Sequence, residues 1–175
     1  MASRMDQLLQ ANSVFAQSWP TPPTMVQMRA VADGALLVLT CMDPRVVPEQ
    51  FLPNAQFAVF RNAGGRYSSD LVRTIATVRK LMADKPGAKT TVMVVHHTDC
   101  GMTHLTNKEI QDDLVTKFPG SAETAKEIDF GCFAEEDLVK TIKEDVEALQ
   151  AEEILKGVEI LGFTLDTVTG ILSRV

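Results

Sequence analysis

The sequence predicts an α/β fold with a mostly parallel central β-sheet flanked by helices, β-strands and helices alternating after an N-terminal helical arm. Three observations carry this. Short apolar runs rich in strand formers recur along the chain, helical patterns separate them, and a proline cluster sets off the first helix. Runs that are apolar throughout suit strands covered on both faces, as in a parallel sheet.

Each element has its own signal. Met5, Leu8, Leu9, Asn12, Phe15 and Ala16 fall at helical spacing, and Trp19-Pro20-Thr21-Pro22-Pro23 separates them from the rest of the chain. Residues 1–23 therefore read as an arm that packs either on its own domain or on a partner subunit. Met25 to Asp33 reads as a short helix with Gly34 as its C-terminal stop. Ala35 to Thr40 is the first strand, Gln56 to Phe60 the second and Thr90 to Val95 the third. Val158 to Val168 is a fourth, with a bend near Gly162. Between them, Ser68 to Ala83, Lys108 to Lys117 and Glu135 to Leu149 have helical patterns. The last begins with Glu135, Glu136 and Asp137, where acids suit the helix dipole.

Composition narrows the class. At 175 residues the chain reads as a single domain, 1–175, long enough to bury a core without disulfide staples. With 45% hydrophobic and 23% charged residues it is neither disordered nor low-complexity. No run approaches the roughly 18 apolar residues of a transmembrane helix. A net charge of −6 disfavours nucleic acid and anionic membranes as partners. Three cysteines are too few, and odd in number, for a secreted disulfide framework. With no apolar signal segment in the first 19 residues, a cytoplasmic protein with reduced thiols is expected.

The chemistry-bearing residues gather after the first and third strands. Cys41-Met42-Asp43-Pro44-Arg45 follows the first, and His96-His97-Thr98-Asp99-Cys100-Gly101 follows the third. In open α/β sheets, sites form beyond the carboxyl ends of the strands. If the two strands are neighbours, Cys41, His97 and Cys100 converge. Two thiolates and an imidazole are a zinc set with a fourth position free, the arrangement of catalytic zinc. The competing readings are a small buried apolar role for each cysteine, and a thiol enzyme with Cys100 as nucleophile and His97 as base. His96 should point away from His97, since neighbours on a strand face opposite sides. His104 is a proton-shuttle candidate or a surface residue, Asp99 an outer support or a solvated acid. Cys132 has no ligand-type neighbour in sequence and reads as inert.

Cys-x-Asp-x-Arg after one strand, His-x-x-Cys-Gly after a later one, and Arg61-Asn62-Ala63-Gly64-Gly65 between them resemble the β-class carbonic anhydrases. The resemblance spans roughly Leu36 to Met102. The short chain is similar to that family's compact branch, which includes carbonyl sulfide hydrolases. The resemblance implies one zinc per subunit on Cys41, His97 and Cys100, and an Asp43–Arg45 dyad beside it. It also implies a close turn at Gly64 and Gly65 which, with Gly101, borders the substrate pocket. The implied activity is addition of metal-bound hydroxide to carbon dioxide, giving bicarbonate. The alternative is hydrolysis of carbonyl sulfide to carbon dioxide and hydrogen sulfide at the same site, and a remoter one is an inactive structural zinc module. In some members the aspartate moves onto the zinc, which is the switch implied for Asp43. The family's substrate-side Asn or Gln before the first ligand strand has no counterpart between Ala30 and Leu36. Family members dimerise through an N-terminal arm, so a homodimer or homotetramer is implied.

Overall fold

The computed structural model describes residues 2–175, and the chain divides into two compact units, residues 1–31 and 32–175. In the first, α1 (Arg4–Ala16) begins at Ser3, whose hydroxyl accepts from Asp6 N while the Asp6 carboxylate reaches back to Ser3 N, a capping box. No residue of α1 is buried, and Met5, Leu8, Leu9, Val14 and Phe15 are all exposed. After the prolines comes α2 (Met25–Val31).

The second unit opens with β1 (Gly34–Cys41), followed by the short α3 (Pro48–Phe51) and β2 (Ala58–Asn62). Helix α4 (Ser69–Met82) starts at Ser68, whose hydroxyl accepts from Leu71 N, and leads to β3 (Lys89–His97). Helices α5 (Asn107–Lys117), α6 (Ala122–Glu127) and α7 (Leu138–Ala151) precede β4 (Glu159–Leu165) and β5 (Leu172–Arg174). The sheet order is β2-β1-β3-β4-β5, and every pair is parallel except β4–β5. The two strands that carry the chemistry are therefore neighbours at the centre.

Alternation along the strands divides the core. Leu37, Leu39, Val92, Val94 and Ile160 pack with Leu71 and Ile75 of α4 and with Leu138, Ile142 and Leu149 of α7. Val38, Val46, Met93, Val95 and Leu165 form a second cluster with Phe51, Phe57 and Phe163 at its margin.

Several boundaries differ from the sequence expectation, among them the second strand, which runs Ala58–Asn62 and not Gln56–Phe60. Gly34 begins β1 and does not cap the preceding helix, which ends at Val31. A Cβ at Gly34 would lie 2.6 Å from the Lys89 carbonyl oxygen, so glycine lets β1 and β3 pair from their first residues. Glu135–Asp137 forms a 3₁₀ turn ahead of α7. The fourth apolar run stops at Leu165 because the Asp166 carboxylate accepts from Val168 N and Thr169 N at 2.8 and 3.0 Å. That turn reverses the chain into β5, which pairs with β4 antiparallel.

Candidate metal centre

Cys41 ends β1, His97 ends β3, and Cys100 stands three residues on, in the loop after β3. Their candidate ligand atoms all lie within 4.8 Å of one another. All three are buried: Cys41 is 3% exposed, and His97 and Cys100 are fully covered.

The residues fit a metal. His97 Nδ1 lies 3.0 Å from the Thr98 carbonyl oxygen, an acceptor, so this nitrogen carries the proton. That leaves Nε2 with a free lone pair, buried and without a protein partner, a costly state that a cation relieves. The sulfurs of Cys41 and Cys100 stand 3.8 Å apart. The Cys100 S–H, with the Asp43 N–H, holds the Cys41 thiol down at about 4. The Cys41 charge and burial in turn push the Cys100 thiol far up. Two like charges this close do not coexist without a cation between them. Cys100 is also fully buried with its sulfur turned to Cys41, which weighs against it as a free nucleophile.

Beside this set, Arg45 holds two carboxylates. It reaches Asp43 Oδ2 with Nη2 at 2.7 Å and Asp43 Oδ1 with Nε at 3.0 Å, and Asp99 Oδ2 with Nη1 at 2.7 Å. Its hydrogen bonds keep the Asp43 carboxyl down at about 2. The Asp43 side chain is 12% exposed, against 60% for Asp99. Asp99 has a left-handed backbone, with φ at 53°, and is fixed by Glu135, which accepts from its N–H. His104 Nε2 lies 3.2 Å from Asp99 Oδ1, on the outside. Asp99 is thus an outer support of Arg45 and not merely a solvated acid.

The turn after β2 closes over the same strand ends. Gly64 and Gly65 have φ of 76° and 71°, and both are buried. A Cβ on Gly65 would come 2.9 Å from Thr40 C and 3.0 Å from Cys41 N, so the turn touches the backbone of the Cys41 strand end. Gly101 is exposed with open space around it and starts a short 3₁₀ turn. Arg61, to which sequence reasoning assigned no role, donates to the carbonyl oxygens of Cys41, Asp43 and Val46. It clamps the whole Cys41–Val46 loop. Its signal was its place at the head of the Arg61–Gly65 motif.

His96 faces away from the cluster, as strand alternation requires, and meets Asp145 at 3.0 Å. Cys132 does not stand apart. With Ala63, Phe130 and Phe133 it packs against Cys41, Cys100 and Met102. The sequence gives no hint of this, because Cys132 arrives from a loop 32 residues beyond Cys100.

Two thiols and an imidazole at the carboxyl ends of adjacent parallel strands, with a paired carboxylate next to them, define an α/β protein with a candidate metal centre. A family model described as carbonic anhydrase matches residues 36–170, and the chain belongs to the β-carbonic anhydrase family. That family uses zinc. A carbon disulfide hydrolase from Acidianus sp. (strain A1-3) is 37% identical over 137 residues, which are 72% of this chain and 63% of that one. The chain thus spans under two thirds of that relative's length. Beta-carbonic anhydrase 1 of Mycobacterium tuberculosis is 25% identical across 97% of this chain and 96% of its own. Among solved structures, a carbonic anhydrase from Streptococcus mutans has a TM-score of 0.79 at 25% identity, covering 100% of this chain and 99% of that one. The apo form of a carbon disulfide hydrolase has a TM-score of 0.62 at 26% identity, covering 97% and 89%. Among the described residues, no helix is long and apolar enough to cross a membrane.

Proposed function

We propose that this chain is a zinc enzyme that adds water to the carbon of a small linear heterocumulene, with carbon dioxide, converted to bicarbonate, as its first substrate. The observation that carries the reading is the buried Cys41–His97–Cys100 set with the ionised Asp43 beside it. Zinc on these three residues supplies a Lewis acid that makes water nucleophilic near neutral pH.

The chain's own groups do the rest. Asp43 is an acceptor only, because Arg45 keeps it ionised. It takes a hydrogen bond from the attacking water and so turns the oxygen lone pair toward the substrate carbon. Arg45 fixes Asp43 in place with its Nε and Nη2. Asp99 keeps Arg45 from swinging away. His104, exposed at the outer end of this chain of contacts, braces Asp99 from 3.2 Å.

A second reading is the hydrolysis of sulfur analogues, carbonyl sulfide or carbon disulfide. It is supported by the apolar wall of Ala63, Met102, Phe130, Cys132 and Phe133 around the sulfurs, and by the identity to the Acidianus carbon disulfide hydrolase. Sulfur is larger and less polar than oxygen and suits such a wall. The exposed apolar residues of α1, with Trp19 beyond it, support the reading of residues 1–23 as an arm that pairs with a second copy in a homodimer or homotetramer. The free thiols suit a reducing, cytoplasmic setting.

The test is one preparation of the full chain, its zinc content measured, assayed with carbon dioxide, carbonyl sulfide and carbon disulfide. About one zinc per chain and fastest turnover of carbon dioxide are expected. Hydrogen sulfide release with feeble carbon dioxide hydration selects the second reading. Bound zinc with no turnover of any of the three overturns both.

A further inference from the structure

Asp145 lies on α7, which offers none of the three candidate ligands, yet its buried carboxylate anchors the turn that covers the metal centre. Its residue is 3% exposed. Oδ2 accepts from Arg66 Nε at 2.9 Å and stands 3.0 Å from His96 Nε2. Oδ1 accepts from Tyr67 N at 3.2 Å. His96 Nε2 also lies 3.2 Å from the Gly65 carbonyl oxygen. With two acceptors before it, this nitrogen carries the proton and donates to both, a tautomer assigned from its partners.

These contacts run in one direction. Through His96 the carboxylate is tied to Gly65, and directly to Arg66 and Tyr67. Asn62 closes the turn from the other side, its Nδ2 donating to the Arg66 carbonyl at 2.7 Å and its Oδ1 accepting from Arg66 N at 2.8 Å. The turn so held packs Gly65 against the backbone of Thr40 and Cys41. The Cys41 sulfur itself accepts from Asp43 N at 3.4 Å, within the Cys41 loop. Docking of α7 does not need a carboxylate, since Leu138, Ile142 and Leu149 already seat it in the core. A buried charge is costly, and an apolar residue of similar size would suit packing as well.

We propose that Asp145 is a positioning residue that holds the Gly64–Gly65 turn against the Cys41 strand end and so fixes where the Cys41 sulfur stands toward the metal. This rests on the reading of Cys41 as a ligand. Outer groups that orient a ligand residue govern metal affinity by about ten- to a hundredfold.

The experiment substitutes cobalt(II) for zinc in the full chain, wild type and Asp145→Asn. Asparagine keeps the size and an acceptor for Tyr67 N, but sets an amide N–H against Arg66 and His96. Releasing the turn lets the Cys41 strand end shift, so the thiolate-to-cobalt charge-transfer band is expected to move from its wild-type position. Cobalt binding, measured in competition with a chelating dye, is expected to weaken about tenfold or more. Arg66→Gln, which removes one of the two donors on Oδ2, is expected to move both in the same direction by less. Melting temperature falls for any structural role, whereas only the band reports on the sulfur. An Asp145→Asn protein with the wild-type band and affinity overturns the inference. If that variant does not fold, an unmoved band in Arg66→Gln overturns it instead. A wild-type chain with no thiolate-to-cobalt band overturns the metal-centre reading, and this inference with it.

Discussion

Asp43 and Arg45 meet through two side-by-side contacts, Nη2 to Oδ2 at 2.7 Å and Nε to Oδ1 at 3.0 Å, while the Arg45 N–H also donates to Asp43 Oδ1 at 2.9 Å. The forked geometry fixes the carboxylate plane as well as its charge. It also leaves the aspartate off the metal set in this structure, since both its oxygens are engaged by arginine.

Replacing Asp43 by alanine removes the acceptor and leaves the three candidate ligands untouched. Zinc content is expected to stay at about one per chain, while kcat/KM falls about a hundredfold or more, the usual scale for loss of a group that orders a proton transfer. Metal analysis and gas hydration on one sample check this. Near-normal turnover with zinc bound would remove Asp43 from the chemistry.

Gly65→Ala places a methyl against Thr40 C and Cys41 N, at a φ of 71° that side chains rarely adopt. Left-handed strain and overpacking together are expected to destabilise the fold by about 2–4 kcal/mol. Because the displaced backbone belongs to Cys41, zinc affinity should fall with it. Urea unfolding and chelator competition measure the two effects, and a variant as stable as wild type contradicts the close approach.

Arg61 clamps three carbonyl oxygens of the Cys41–Val46 loop, with contacts of 2.6 to 3.0 Å. Hydrogen bonds from a charged donor contribute about 1.5–3 kcal/mol each when sheltered, and less when solvent competes. Arg61→Gln is therefore expected to lower unfolding stability by about 2 kcal/mol. Its zinc should also exchange faster with an external chelator. Unchanged exchange would mean that the loop holds its shape without the clamp.

The loop that carries Phe130 and Cys132 is predicted to loosen in acid. The Gly131 N–H, with Asn107, holds the Asp129 carboxyl below its ordinary 3.8. A carboxyl lowered by folding contributes stability that is complete above its unfolded value and is lost as pH falls through its folded one. The Gly131 amide resonance should therefore titrate with a midpoint under 3.8, and Asp129→Asn should abolish that step. A midpoint at or above 3.8 reverses the assigned sign.

Much of the architecture was legible because its signals are local. The apolar runs at Ala35–Thr40 and Thr90–Val95 became the central strands, and their ends brought Cys41, His97 and Cys100 together. The alternation of His96 and His97 was readable from strand geometry alone. What escaped depends on long-range packing. Asp145 sits in an ordinary amphipathic helix, and nothing nearby in sequence marks it as the partner of Arg66, 79 residues away. Cys132 comes from an irregular loop, whose path no periodicity predicts. The β5 strand was missed because three residues are too few to show alternation.

The tandem histidines at the end of β3 give one strand two clients. His97 serves the thiol cluster on one side, and His96 serves the α7 carboxylate on the other. A slip of one residue in the β1–β3 register would exchange them, presenting each imidazole to the wrong audience. Assembly of the sheet and capture of the metal thus answer to the same alignment.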